Sequence, residues 1–237
     1  MREQLLNAYR RHGYEIRAGQ AVTHWIGTGE FVQETVLRDC ASAWRDGRRL
    51  DCGYGLSWSE LSVLEFLAEI WTPRTIFGIG NGFGWSAVAM DLLWPLAYLR
   101  MMDNEGEGAD GKRGVELTER ILDEHNGGIV LIGTSPDDVP DCMADDGFAP
   151  VDLVLIDATH TDEAQWADYQ AVRPFLAPEH VVLFHDVLLL KMGASFTRIA
   201  ADYPDRARIL HRTTTGMGIV WTADAGRRAA QVFGGYP

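Results

Sequence analysis

Asp157, His160, His185 and Asp186 are the residues whose types and spacing point most directly to chemistry. Asp157 ends the apolar run Val151-Asp152-Leu153-Val154-Leu155-Ile156, and His160 follows three residues later. A second apolar run, 181–184, ends at His185-Asp186, 28 and 29 residues beyond Asp157. Apolar runs without alternation read as strands buried on both faces, and in such sheets ligands sit beyond the carboxyl ends. Neighbouring parallel strands lie ~5 Å apart, so Asp157, His185 and Asp186 can converge on one cation. Carboxylates favour Mg²⁺, whereas an imidazole in the set tilts it toward Mn²⁺, Fe²⁺ or Zn²⁺. His160 offers a different chemistry, because an imidazole can accept a hydroxyl proton near neutral pH. Plainer readings stand beside these. Asp157 can simply cap the helix beginning near Thr161, His160 can be a hydrogen-bonded loop histidine, and His185 can be a neutral histidine near the sheet edge with no metal contact.

A glycine turn, Gly80-Asn81-Gly82-Phe83-Gly84, follows the earlier apolar run 75–79 and precedes a helical pattern. Glycines there let the backbone approach a ligand where a Cβ would obstruct. The dinucleotide spacing G-x-G-x-x-G is not met: counted from Gly78 its third position falls on Phe83, and counted from Gly80 on Trp85. The relaxed match from Gly82 to Ala87 begins too far beyond the strand. Asp103 lies 23 residues after Gly80 at a second strand end, where a carboxylate can accept both ribose hydroxyls. This points to an adenosine-containing cofactor, against the alternative of a solvated acidic turn. The glycine spacing disfavours a nicotinamide cofactor and hence an NAD-dependent oxidoreductase.

The elements that must position these residues alternate strand and helix from residue 75 onward, which predicts a doubly wound, Rossmann-like α/β sheet of about seven strands, the last antiparallel. The expected strands are 75–79, 97–102, 129–132, 151–156, 181–184, 208–211 and 218–221. Ser57 and Glu60 have the spacing of a capping box that opens a helix ending before Pro73. Residues 57–237 form the expected catalytic domain. Residues 1–56 are read as a helical extension covering the strand ends, either a lid over a pocket or a packing and dimerisation segment. Trp25, Trp58 and Trp85 are candidates for an aromatic pocket or for the core.

Composition narrows the partners. The 34 acidic and 21 basic residues of the 237 leave a net charge of −13, which repels nucleic acid and anionic membrane surfaces and favours a small-molecule substrate. Cys40, Cys52 and Cys142 show no CxxC or zinc spacing and read as reduced thiols of a cytoplasmic protein. No apolar run approaches the ~18 residues of a membrane span.

Together these segments resemble class I S-adenosylmethionine-dependent methyltransferases, closest to small-molecule O-methyltransferases of the catechol type and to the related group acting on natural-product sugars and phenols. The resemblance spans about residues 61–221 and rests on the glycine turn, Leu131-Ile132-Gly133-Thr134-Ser135-Pro136-Asp137-Asp138, residues 152–160 and Val182-Leu183-Phe184-His185-Asp186-Val187. It implies S-adenosyl-L-methionine as cofactor, its methionine part held by Gly80, Asn81, Gly82, Gly84 and Asp157, its ribose by Asp103 with Asn104, and its adenine bordered by Thr134 and Ser135. It implies a hydroxylated small-molecule acceptor, Mg²⁺ on Asp157, His185 and Asp186, His160 at the place of the base lysine, and a homodimer. Two positions depart from the pattern. Gly78 stands where an acid is usual, and His185 stands where the second metal ligand is usually an acid.

Overall fold

The computed structural model describes residues 1–18, 21–25, 31–36, 41–50, 55–106, 108–125, 127–144 and 148–235, with backbone only for the strand residues between 18 and 41. The chain opens with helix α1 (Arg2–Arg11), which buries Leu5, Ala8 and Tyr9. It continues in strands β1 (Glu15–Ala18), β2 (Ala21–Trp25), β3 (Phe31–Val36), β4 (Ala41–Arg45) and β5 (Arg48–Arg49). β1, β4 and β5 form a small antiparallel sheet, and β2 pairs antiparallel with β3 as a hairpin. Among the described residues the expected helical extension is therefore helical only in α1. Phe31–Val36 is rich in the aromatic and β-branched residues that favour strands but shows no apolar–polar alternation. The gaps between these short strands gave no periodic window long enough to separate them from irregular helix.

Helix α2 (Trp58–Ile70) begins at the capping box that the sequence announces: Ser57 Oγ accepts the Glu60 N–H at 3.2 Å and Glu60 Oε2 accepts the Ser57 N–H at 2.8 Å. After it come β6 (Thr75–Ile79), α3 (Trp85–Leu93), β7 (Tyr98–Asp103), α4 (Ala109–Asp123), β8 (Ile129–Ile132), α5 (Val139–Met143), β9 (Val151–Ile156), α6 (Asp162–Val172), β10 (Leu176–Phe184), α7 (Gly193–Ala200), β11 (Ala207–Leu210), β12 (Met217–Trp221) and α8 (Asp224–Phe233). The seven strands order as β11-β12-β10-β9-β6-β7-β8. β10, β9, β6, β7 and β8 run parallel, and β12 lies antiparallel between β10 and β11.

Both sheet faces are covered. Ile76 of β6 packs in the cluster that includes Leu61 and Leu64 of α2, Val88 of α3 and Ile121 of α4, whereas its neighbour Phe77 packs in the opposite cluster with Tyr169 and Val172 of α6 and Ile199 of α7. This two-sided burial is why the central strands lack alternation. β10 begins earlier than its apolar run, at Leu176. Its register against β9 shifts between Leu176 and Val181, a bulge that accommodates Pro178, which has no N–H for the ladder.

The chain winds outward from β6 to β7 and β8, then returns to lay β9 and β10 on the other side. The carboxyl ends of β6 and β9 flank this reversal, and a ligand crevice opens at such a point. Among the described residues no helix is long and apolar enough to cross a membrane.

Candidate active site

A cavity of about 280 Å³ opens at this reversal. Its floor is the glycine turn. Gly80 has φ +91°, and a Cβ there would collide with the carbonyl oxygen of Asp157, so the turn after β6 and the end of β9 touch backbone to backbone. Gly82 also has positive φ, but its missing side chain leaves open space within the cavity wall. Asp103, at the end of β7, ties the turn down: Oδ2 accepts the N–H groups of Asn81 at 2.8 Å and Gly82 at 3.1 Å, and Oδ1 accepts that of Glu105 at 2.7 Å. A carboxylate has about four acceptor positions, so these three bonds leave room for about one ribose hydroxyl.

The sequence-predicted cofactor residues separate on this geometry. Gly80, Asn81, Gly82, Asp103, Asn104, Ser135 and Asp157 line the cavity. Gly84 instead starts α3 and faces Thr118. The Thr134 N–H is taken by Asp138 at 2.7 Å, and only its neighbours Gly133 and Ser135 reach the wall. The Ser135 hydroxyl donates to Asp168 of α6, a lining residue that the sequence reading missed. Burial pushes the Asp168 carboxyl up to about 6, with the Ser135 hydrogen bond opposing it. A carboxylate on the buried side of an otherwise ordinary helix was the only signal available.

The opposite wall comes from the N-terminal segment, through Tyr9, Ile16, Ser42 and Ala43. The Tyr9 hydroxyl donates to the Phe83 carbonyl at 2.8 Å, and its ring packs 5.7 Å from that of Trp85. Trp85 lines the cavity, donates its Nε1–H to the Leu56 carbonyl and meets Trp58 edge-on. Of the three tryptophans, Trp85 is thus in the wall, Trp58 supports it, and the side chain of Trp25 lies outside the described residues. Cys40 and Cys52 lie outside them too, while Cys142 is a buried free thiol.

Beside the cavity floor the four chemistry-bearing residues do meet. Asp157 does not cap α6, because Thr161 does so, accepting the Ala164 N–H at 3.1 Å. Asp157 Oδ1 instead lies 2.9 Å from His185 Nδ1 and 3.4 Å from His160 Nε2. Asp186 Oδ2 is 3.4 Å from both His185 Nδ1 and His160 Nε2. Its other oxygen, Oδ1, is buried without a hydrogen-bond partner among the described residues, on a backbone held at φ +56°. A non-glycine residue in that region is a strained one. Asp157 and His160 line the cavity, while His185 and Asp186 are not in its wall and only 2% exposed.

A fifth member went unnoticed in the sequence because its capping role accounted for it. Glu60 is wholly buried and sends Oε2 to His185 Nε2 at 3.1 Å, while Oε1 accepts the Thr215 hydroxyl. Burial raises the Glu60 carboxyl, but His185 beside it outweighs this and holds it below the ordinary range. Asp157 shows the same balance, burial opposed by His185 and His160, and also ends low. Burial lowers His185, yet Asp157, Asp186 and Glu60 around it raise it well above the ordinary histidine value. For Asp186 burial prevails over the two histidines, and its carboxyl is raised.

These residues fit a divalent ion on two grounds: ligand atoms of Asp157, His160 and His185 all lie within 4.8 Å of one another, and the neighbouring Asp186 has an orphaned buried oxygen. The floor fits a nucleoside cofactor through the anchored turn and the open space at Gly82.

Residues 79–187 match the family model described as a methyltransferase domain. No curated protein matches the chain in sequence. Among solved structures, the O-methyltransferase TomG of Streptomyces achromogenes, involved in tomaymycin synthesis and bound to S-adenosylmethionine, is similar with a TM-score of 0.57 at 21% identity, covering 72% of this chain and 83% of its own. An O-methyltransferase of Bacillus cereus in complex with SAH is similar at TM-score 0.58 and 15% identity, covering 71% and 83%. CalS11, a TDP-rhamnose 3'-O-methyltransferase of calicheamicin biosynthesis, is similar at TM-score 0.52 and 16% identity, covering 68% and 76%. At these identities the likeness is one of fold. Residues 79–187 thus carry a methyltransferase domain, in a fold shared with O-methyltransferases solved with S-adenosylmethionine or SAH bound.

Proposed function

We propose that the protein transfers a methyl group to a hydroxyl of a small molecule, a phenol, catechol or natural-product sugar, with a divalent cation assisting. The observation that carries this is the place of Asp157, whose backbone touches the glycine turn and whose carboxylate belongs to the histidine–carboxylate cluster. Asp103, Asn81, Gly82 and Ser135 hold the cofactor end, and His160 faces the cavity at the acceptor end. S-adenosylmethionine supplies an electrophilic methyl whose C–S bond breaks with its electron pair staying on sulfur. The acceptor oxygen forms the new O–C bond and passes its proton to the His160 ring, whose resulting charge is stabilised by the carboxylates of Asp157 and Asp186 beside Nε2. Asp157, His185 and Asp186 would hold the cation, which would lower the proton affinity of the hydroxyl. The protein otherwise contributes alignment, since an in-line displacement depends on placing oxygen, carbon and sulfur in one line.

The N-terminal wall, with Tyr9, Ile16 and Trp85, gives the acceptor an apolar and aromatic surface, in keeping with a ring-bearing substrate. The test is calorimetric binding of the demethylated cofactor, followed by mass detection of methylated product across a panel of catechols, phenols and nucleotide sugars. Absence of cofactor binding defeats the reading at its first step, and methylation confined to amines or thiols defeats the oxygen assignment.

A further inference from the structure

The described cluster holds three carboxylates, Glu60, Asp157 and Asp186, around two imidazoles, His160 and His185. Even with both rings protonated and all three acids ionised, one negative charge is left over in a place where Glu60, His185 and Asp186 are almost without solvent contact. Buried unbalanced charge is costly. A divalent cation that displaces one proton from His185 brings the sum to zero and gives the orphaned Asp186 Oδ1 a partner.

Glu60 decides which nitrogen of His185 faces this place. An ionised carboxylate only accepts, so Glu60 Oε2 at 3.1 Å requires the hydrogen on Nε2. Nδ1, 2.9 Å from Asp157 and 3.4 Å from Asp186, is then the atom whose proton a cation would displace to reach a lone pair beside two acidic oxygens. A ring nitrogen's availability to a metal is set by the hydrogen bond made by the other, and a carboxylate in that outer position also strengthens the ring as a ligand. Glu60 is itself fixed from two sides, by the capping box at the start of α2 and by Thr215.

We infer that Glu60 is a positioning residue that holds His185 with Nδ1 turned to Asp157 and Asp186, making this a site for an imidazole-preferring ion such as Mn²⁺, Co²⁺ or Zn²⁺ instead of Mg²⁺. This deepens the methyl-transfer reading, since it concerns the ion of the same site. Oxygen-only sets suit Mg²⁺, and one imidazole among them shifts preference toward the first-row metals.

The probe is Co²⁺ titrated into the intact protein, followed by its visible absorption, with Mg²⁺ as competitor. Wild type should bind one Co²⁺ per chain and resist displacement by millimolar Mg²⁺. Glu60→Gln, which keeps the shape and loses the charge, should weaken Co²⁺ by roughly 10–100-fold. Ser57→Ala, which removes the hydroxyl half of the capping box but leaves the Glu60 carboxylate on His185, should lower stability and leave Co²⁺ affinity nearly unchanged, which a purely structural role for Glu60 would not give. His185→Asp should bring Mg²⁺ and Co²⁺ affinities together, and it decides the matter if Glu60→Gln fails to fold. Wild type that prefers Mg²⁺, or binds neither ion, overturns the inference, as does a folded Glu60→Gln with unaltered Co²⁺ affinity. Calorimetry with the demethylated cofactor, run on the same wild-type sample without metal, separates this failure from failure of the methyl-transfer reading.

Discussion

Asp103 Oδ2 accepts the backbone N–H of Asn81 at 2.8 Å, so the acid at the end of β7 and the turn after β6 form one rigid unit. Removing the acid takes away the proposed cofactor contact and unpins the turn together. Hydrogen bonds to charged groups contribute about 1.5–3 kcal/mol each. Asp103→Ala should therefore weaken binding of the demethylated cofactor by roughly 100-fold or more, with Asp103→Asn in between because it keeps one acceptor oxygen. Calorimetry reads this directly, and equal affinities across the three proteins would remove Asp103 from the cofactor site.

Gly80 and Gly13 offer a matched comparison. Both have positive φ, but a Cβ on Gly80 runs into the Asp157 carbonyl, whereas Gly13 has nothing within 4 Å. Gly13→Ala should cost only the left-handed penalty of about 1–2 kcal/mol. Gly80→Ala should cost more than about 3 kcal/mol by urea denaturation, because backbone must move. Similar losses in the two would show that the β6–β9 contact is not tight.

Asp168 makes stability depend on pH in a direction opposite to the usual salt-bridged acid. Its folded value, pushed up to about 6 from an ordinary 3.8, means the fold prefers the protonated form. Its contribution is most favourable below pH 4 and declines as pH rises toward 6, by up to about 3 kcal/mol, then stays constant. Asp168→Asn keeps an acceptor for Ser135 and should raise stability at pH 8 by about 1–3 kcal/mol relative to wild type, with little difference at pH 4. Denaturant midpoints at the two pH values check this, and a pH-independent difference would contradict it.

His160→Gln should lower kcat by roughly 100- to 10,000-fold while leaving affinity for the demethylated cofactor unchanged, since His160 lies at the acceptor end. A fall of less than about 10-fold would assign proton removal to another group.

The seven strands and the glycine turn were legible because their signals are local: two-sided burial erases alternation, and Gly80 and Asp103 sit at strand ends that can be counted along the chain. The convergence of Asp157, His185 and Asp186 was legible too, since strand adjacency turns a sequence gap into a short distance. Glu60 was not, because its spacing from Ser57 already explained it and its link to His185 spans 125 positions. A residue satisfied at one level gives no sign of a second role at another. Asp168 was hidden for a similar reason, as was the strand character of the segment after α1, whose partners are set by non-local pairing and not by period.

The N-terminal wall gives the cavity a common door. Tyr9 bolts α1 to the Phe83 carbonyl at the far edge of the glycine turn, while Ile16 and Ala43 close the same side. The shape of the cavity thereby depends on how α1 is seated, since a single hydroxyl joins that helix to the backbone of the glycine turn.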